Sequence, residues 1–485
     1  MHIPKALHYL LSCSTALGLF CSCEGFKGDN YTAYFGGEVI NPTSPYVLFC
    51  RNSEVIDSVA LDKNNRFFIK FDSLTPGMYS FKNLPEYQYV YFDKNDSIMV
   101  RVNARDFDNS VVFCGRGDQK NNFLMNLYLK NEDDRSKIFE IFDYDVDQFL
   151  SSIDSSYASR EEFYRSKKED LKWSDDFDRY AKAALDLHHF SKKEIYPQVH
   201  QIRTGNDVVE KLPKGYYDFR KSIDFNDDDL INFSPFVAYL THMLNNMAAI
   251  NYHNHFTEVD LALKTNINKL HIADTLIKNE KVKNTILNNI AFTYLLEDQN
   301  MVNNQKFLAS YRELSTDKSK KNEILKIGRA IQQLTSGNPL PEVILVDAND
   351  KKISSSSLTT QKTVLFFWTE NLVSHLQAAH KKVHDLKVKH PDYQFVAVCL
   401  DKDQQKWTKL LEKYKTDGIV ELRCKDFEDL KNKWAITKVH RTIILGGDGK
   451  IKNAFTNIFD VDFENELRDK PLEKDSGHLH ALAER

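Results

Sequence analysis

The chain has 485 residues, too many for one ordinary hydrophobic core and enough for two to four domains. Lys+Arg 65 against Asp+Glu 69 leaves a formal charge of -4, which excludes the basic field that a nucleic-acid backbone requires. With 32 Phe and 22 Tyr but only 17 Gly, the composition excludes a disordered chain and favours well-filled cores with much helix.

The chain opens with a weak positive charge at Lys5, followed by an apolar run from Ala6 to Phe20. That run is shorter than the ~20 residues a spanning helix needs, and its length and flanks suit a signal peptide over residues 1–22. It ends in Phe20-Cys21-Ser22-Cys23, and polar residues follow. A small residue before a cysteine at this place resembles a bacterial lipobox, which implies acylation of Cys23 and a tether over 23–30. Cys13, after Leu10-Leu11-Ser12, is a rival acceptor behind a shorter run. Beyond these lie Cys50, Cys114, Cys399 and Cys424, with no CxxC and no metal-ligand spacing. Cys50 and Cys399 sit in apolar runs, where a thiol is expected to act as a small buried hydrophobe.

Residues 31–118 show short β-type runs, such as Phe67 to Phe71 and Tyr87 to Phe92, punctuated by Lys63-Asn64-Asn65 and Thr75-Pro76-Gly77. Tyr79 and Phe81, then Ile98, Val100 and Val102, alternate with mostly polar neighbours. A small antiparallel sandwich or barrel is expected. Residues 119–335 turn helical: Phe123, Leu124, Leu127 and Tyr128, or Leu263, Ile267, Leu270 and Ile277, recur at helical spacing. The acidic stretch Asp224 to Leu230 lacks the glycine and terminal glutamate of a calcium loop and is expected to cap the following helix. His188-His189 and the pair His253 and His255 are the raw material for a metal site, but no HExxH or further ligand accompanies them.

From residue 336 to about 470, apolar runs alternate with helix-like stretches. Val364 to Trp368, Phe395 to Leu400 and Thr442 to Leu445 are the runs, and Asp448-Gly449-Lys450 is a hairpin turn. A compact α/β domain is expected, with residues 471–485 as a tail. The whole is thus expected to be a multidomain α+β protein: an N-terminal antiparallel β-sandwich, a helical middle and a C-terminal α/β domain.

Tyr91-Phe92-Asp93 with Gly115-Arg116-Gly117-Asp118, Leu212-Pro213-Lys214-Gly215-Tyr216-Tyr217, Gly337 to Pro341 and Phe366-Phe367-Trp368 occur in that order. Together they resemble the TlpA/ResA branch of the thioredoxin superfamily, in the long form found among Bacteroidota lipoproteins. The resemblance implies a thioredoxin-like C-terminal domain. In redox-active members, Phe-Trp-Ala-x-Trp-Cys-x-x-Cys sets two thiols at a helix N-terminus, which favours the thiolate. This chain instead has Phe367-Trp368-Thr369-Glu370-Asn371-Leu372-Val373-Ser374-His375, so Leu372 and His375 stand at the two cysteine positions. The cis-proline of the family's Pro-Thr pair is replaced by Arg441, ahead of Thr442.

The expectation is a non-enzymatic, degenerate domain without cofactor or bound metal. Its former redox site, with Trp368, Glu370, Leu372, His375, His440 and Arg441, would form a partner-binding patch, plugged by a Glu370–Arg441 pair. The function expected is a binding or scaffold subunit of an outer-membrane or periplasmic protein assembly, membrane-attached through its lipid and facing the periplasm or the surface. Two alternatives remain: a glycan- or peptide-binding accessory lipoprotein of a nutrient transporter, using aromatics near Tyr216-Tyr217 or Tyr252, and a metal-dependent enzyme using His253 and His255.

Overall fold

The computed structural model describes residues 31–468, apart from 53, 85, 136–137, 252–259, 298–299, 371, 402, 415–416 and 437–438. Cys13, Cys23, Tyr252, His253, His255 and the tail 471–485 lie outside the described residues. The chain divides into two compact units, residues 1–123 and 124–485.

The first unit holds β1 (Ala33–Ile40), β2 (Tyr46–Arg51), β3 (Glu54–Ala60), β4 (Arg66–Phe71), β5 (Gly77–Asn83), β6 (Glu86–Phe92), β7 (Ser97–Asn103), the short helix α1 (Phe107–Ser110) and β8 (Val112–Arg116). They form two four-stranded sheets, ordered β4-β1-β7-β8 and β3-β2-β5-β6. Alternation sends Phe67, Ile69, Tyr79, Phe81, Ile98, Val100 and Val102 inward, all buried. Phe35 sits at the centre, its ring 5.4 Å from Phe49, 5.4 Å from Phe81 and 5.9 Å from Phe92. The expected all-antiparallel arrangement is corrected at one pairing, because β1 and β7 run parallel. The long excursion through β2 to β6 supplies the crossover that a parallel pair needs.

Helix α2 (Asp118–Arg135) begins at the end of this unit. The second unit continues through α3 (Ile138–Asp143), α4 (Val146–Leu171), α5 (Asp175–Thr204), α6 (Ser234–Asn251), α7 (Leu261–Leu276), α8 (Glu280–Glu297), α9 (Met301–Leu314) and α10 (Lys318–Gln333). The Ser174 hydroxyl caps α5 by accepting from Phe177 N, and Gly205 ends it in the left-handed region at φ 75. Along α5 the interior is unusually polar. Glu194, whose side chain is 0% exposed, accepts from Arg220 at 2.8 and 2.6 Å and from Asn246 at 2.6 Å. Asp134 receives both Lys192 and Arg160 at 2.8 Å.

The acidic stretch caps the short turn Leu230–Asn232 through Asp227, whose carboxylate accepts from Asp229 N at 3.1 Å and from Leu230 N, while Asp229 itself makes no side-chain cap bond. Asp227 and Asp229 also pair with Arg179 of α5. A second cap forms at long range, where Asn226 Oδ1 accepts from Lys278 N at 2.6 Å and Asn279 N at 2.8 Å, just ahead of α8.

The remaining elements are β9 (Ile344–Val346), β10 (Lys352–Ser354), β11 (Thr363–Trp368), α11 (Val373–Lys389), β12 (Gln394–Cys399), α12 (Gln404–Tyr414), β13 (Val420–Cys424), α13 (Phe427–Trp434), β14 (Thr442–Leu445), β15 (Ile451–Thr456) and α14 (Phe463–Glu466). They build one seven-stranded sheet, ordered β10-β9-β13-β12-β11-β14-β15. The central β11, β12 and β13 run parallel, and every residue of β11 is buried. On one face, Phe366, Trp368 and Phe395 pack with Leu376 and Val383 of α11 and Trp407 of α12. On the other, Phe367 meets Trp434 of α13 at 6.2 Å between ring centres. Cover on both faces explains why β11 is a continuous apolar run.

Candidate functional site

At the carboxyl ends of parallel strands, the turns into the following helices create the crevice where open α/β sheets place their sites. Here β11 leads through Thr369 and Glu370 to α11, and β12 leads to Asp401. The Asp401 carboxylate ties the two turns together. It accepts from Thr369 Oγ1 at 3.0 Å and from Glu370 N at 2.6 Å. It also lies 3.7 Å from Cys399 Sγ. Cys399 is fully buried, and burial pushes its thiol well above the ordinary range, with Asp401 and Glu370 adding repulsion to the thiolate. A sealed, protonated thiol is inert as a nucleophile.

Leu372 opens α11 without any side-chain cap, as an aliphatic residue must. It and His375 are half-buried. Both ring nitrogens of His375 lack a hydrogen-bond partner, and Phe459 packs edge-on at 5.8 Å. Burial lowers the pKa of His375, and the nearby His440 and His380 lower it further. His440 is exposed on the turn before β14. Phe459, on His375, is 41% exposed, and Val461, two residues further along the chain, is 97% exposed.

The structure therefore brings Glu370, Leu372, His375 and His440 to one end of the sheet but separates the other two expected residues from it. Trp368 is 0% exposed and belongs to the core. Arg441 turns inward. Its Nε donates to Ala454 O at 2.8 Å, its Nη1 donates to Ala435 O at the end of α13, and its guanidinium lies 4.1 Å from the Phe455 ring centre. Burial lowers its pKa to about 9. The expected Glu370–Arg441 plug is thus corrected: Glu370 pairs with Lys406 of α12 at 3.2 Å. Arg441 thus joins the end of α13 to β15, with two carbonyls and an aromatic face as partners and its Nη2 without one.

Sequence reasoning missed Asp401, Lys406 and a buried pair beneath the site. His380 Nδ1 meets Leu376 O at 2.8 Å, and Nε2 meets Glu421 Oε1 at 2.8 Å. The two side chains are 4% and 5% exposed. A carbonyl only accepts, so Nδ1 donates there, which leaves Nε2 facing the carboxylate. The signal was present: His380 occupies the apolar phase of α11 with Leu376, Ala379 and Val383.

Two other sequence expectations fall elsewhere. Tyr216 is buried, its hydroxyl donating to Lys193 O at 3.1 Å, and Tyr217 lies under Arg220 at 4.1 Å, so this pair forms no open aromatic platform. His188 and His189 lie in the helical interior, where burial holds both near a pKa of about 3. Among the described residues, no group of three or more His, Cys, Asp or Glu is arranged to hold a metal ion.

Residues 360–451 match a family model described as Thioredoxin-like. The C-terminal domain is thioredoxin-like. Among solved structures, the thioredoxin domain of a thiol-disulfide oxidoreductase from Bacteroides vulgatus is similar at 19% identity and TM-score 0.23, covering 27% of this chain and 94% of that one. A domain described as a possible thiol-disulfide isomerase from Cytophaga hutchinsonii is similar at 20% identity and TM-score 0.25, covering 27% and 90%. No curated protein matches the chain significantly. In this thioredoxin-like domain, the turn into α11 carries Leu372 and His375, and the sequence has no cysteine from 371 to 398.

Proposed function

We propose that the thioredoxin-like domain binds a protein partner and exchanges no disulfides. The chain then serves as a binding or scaffold subunit of an outer-membrane or periplasmic assembly, exported and held to the membrane by a lipid on Cys23. The carrying observation is the cysteine-free entry into α11, where Leu372 and His375, both half-buried, stand at the two cysteine positions. A leucine can neither attack a disulfide nor accept electrons. The nearest downstream sulfur, Cys399, is sealed and held protonated. What the site offers is contact surface: the exposed apolar side chains of Phe459 and Val461, with Phe459 packed on the half-buried ring of His375. An exposed apolar group with a polar rim is the usual composition of a protein-docking patch.

The test is gentle detergent extraction of native membranes, capture of the full chain, and identification of what accompanies it. Stoichiometric recovery of envelope proteins, lost on Phe459→Glu and Val461→Glu substitution, supports the reading. Recovery of the chain alone across several mild detergents, or catalysed disulfide reduction by the purified chain, overturns it.

A further inference from the structure

The outward face of the sheet β4-β1-β7-β8 carries a surface that plays no part in the proposed function. Strand register places Phe68, Gly36, Met99 and Cys114 in one row across the four strands, and Arg66, Glu38, Arg101 and Val112 in the next. These side chains point away from the core, because their chain neighbours Phe67, Val100 and Phe113 are buried. A solvated face of such a sheet ordinarily alternates to polar residues. Here Phe68 is 56% exposed and Val112 57%, Cys114 is exposed, and Tyr34 stacks on Phe68 at 5.9 Å between ring centres. A mostly apolar groove of about 590 Å³ runs beside Phe68 and Met99, with Arg66, Glu38 and Arg101 along it.

We propose that this face joins two copies of the chain as a symmetric dimer. The argument is charge self-complementarity. The second row alternates positive, negative, positive, with Glu38 and Arg101 already 3.6 Å apart within one chain. A two-fold axis parallel to the strands, passing between β1 and β7, keeps each row against its own copy. It sets Glu38 against Arg101 of the partner subunit, and Arg101 against the partner subunit's Glu38. The same operation brings the exposed Phe68 over Cys114 of the partner subunit, so apolar meets apolar in the neighbouring row. An isologous interface needs one patch that complements itself, and Glu38 with Arg101 and Phe68 with Cys114 do so at its centre and in the neighbouring row, while Arg66 faces Val112 of the partner subunit at the sheet edge. A uniformly acidic partner would be repelled by Glu38 and a uniformly basic one by Arg66 and Arg101, whereas a second copy satisfies both signs of the central pair.

The test uses the full chain in mild detergent, with its mass followed by light scattering and sedimentation across a concentration series. The expected species has twice the chain mass. Glu38→Arg makes the row uniformly positive, and Arg101→Glu places two carboxylates beside each other. Each variant alone is expected to weaken the dimer at least tenfold, and mixing the two is expected to restore it as a heterodimer. Because restoration requires both variants to be folded, misfolding does not imitate it. A monomer at every concentration, a dimer that neither variant weakens, or a mixture that fails to re-form the dimer overturns the proposal.

Discussion

Replacing His380 with alanine strands the Glu421 carboxylate in a nearly dry interior. Its Oε1 loses the 2.8 Å contact to His380, its Oε2 has no partner to begin with, and the side chain is only 5% exposed. Breaking a buried pair from one side costs about 3–5 kcal/mol, because the remaining group keeps its desolvation penalty. The ring also packs edge-on against Phe366 at 5.3 Å and Trp368 at 6.1 Å, so a cavity adds to the loss. A chain of several domains has no single unfolding free energy, so the assay is amide hydrogen exchange along the β12–β13 ladder. An effect of this size appears there as exchange faster by about a hundredfold or more, at roughly 1.4 kcal/mol per tenfold. The double change His380→Leu with Glu421→Met, which removes both partners, should recover most of the protection. A single variant that exchanges within about threefold of the parent would refute the reasoning, since it would mean the carboxylate is solvated or paired elsewhere.

Asp401→Ala should free the Thr369–Glu370 turn by deleting two charge-assisted hydrogen bonds, about 1.5–3 kcal/mol of local stability, measured as faster exchange at Glu370 N with β12 unaffected. Glu194→Leu should leave Arg220 half-enclosed without its carboxylate and lower the thermal midpoint of the helical region clearly, whereas Lys281→Ala on the surface should leave it unchanged. In Asp134, burial raises the pKa, but hydrogen bonds from Lys192, Ser156 and Arg160 outweigh it and hold the group at about 2. Its folded pKa lies below the unfolded one, so its stabilisation is complete above about pH 4 and is lost as pH falls toward 2; Asp134→Asn should flatten that acid limb in circular dichroism titrations. His188 and His189 are held near a pKa of about 3 mainly by burial, so unfolded chains take up protons from about pH 6.5 downward that the fold refuses. Stability of the helical region should therefore decline from that pH, and His188→Gln should blunt the decline, since His188 Nε2 has no partner whereas His189 Nε2 lies 3.3 Å from the Asp154 carboxylate.

The parts legible in the sequence were those governed by local periodicity. β11, β12 and β14 fall where apolar runs placed them, and Cys50 and Cys399 are buried in strands as small hydrophobes. Where a contact is set by topology, the sequence was silent. The parallel β1–β7 pairing joins residues about sixty apart, and Asn226 caps a helix some fifty residues later. Charge partners were the least readable. Glu370 and Arg441 have opposite signs and stand near one another in the family pattern, yet Lys406 takes the carboxylate, while two carbonyls and Phe455 take the guanidinium. A side chain's partner depends on which way its strand faces, and β14 turns Arg441 inward.

The most direct measurement places a photoreactive amino acid at position 459 of the full chain in intact cells, next to His375 at the end of α11. Partner binding at the cysteine-free site predicts one discrete cross-linked envelope protein from position 459, absent when the same probe replaces Val388 on the exposed far end of α11. No cross-linked species from 459, or equal products from both positions, would contradict the account.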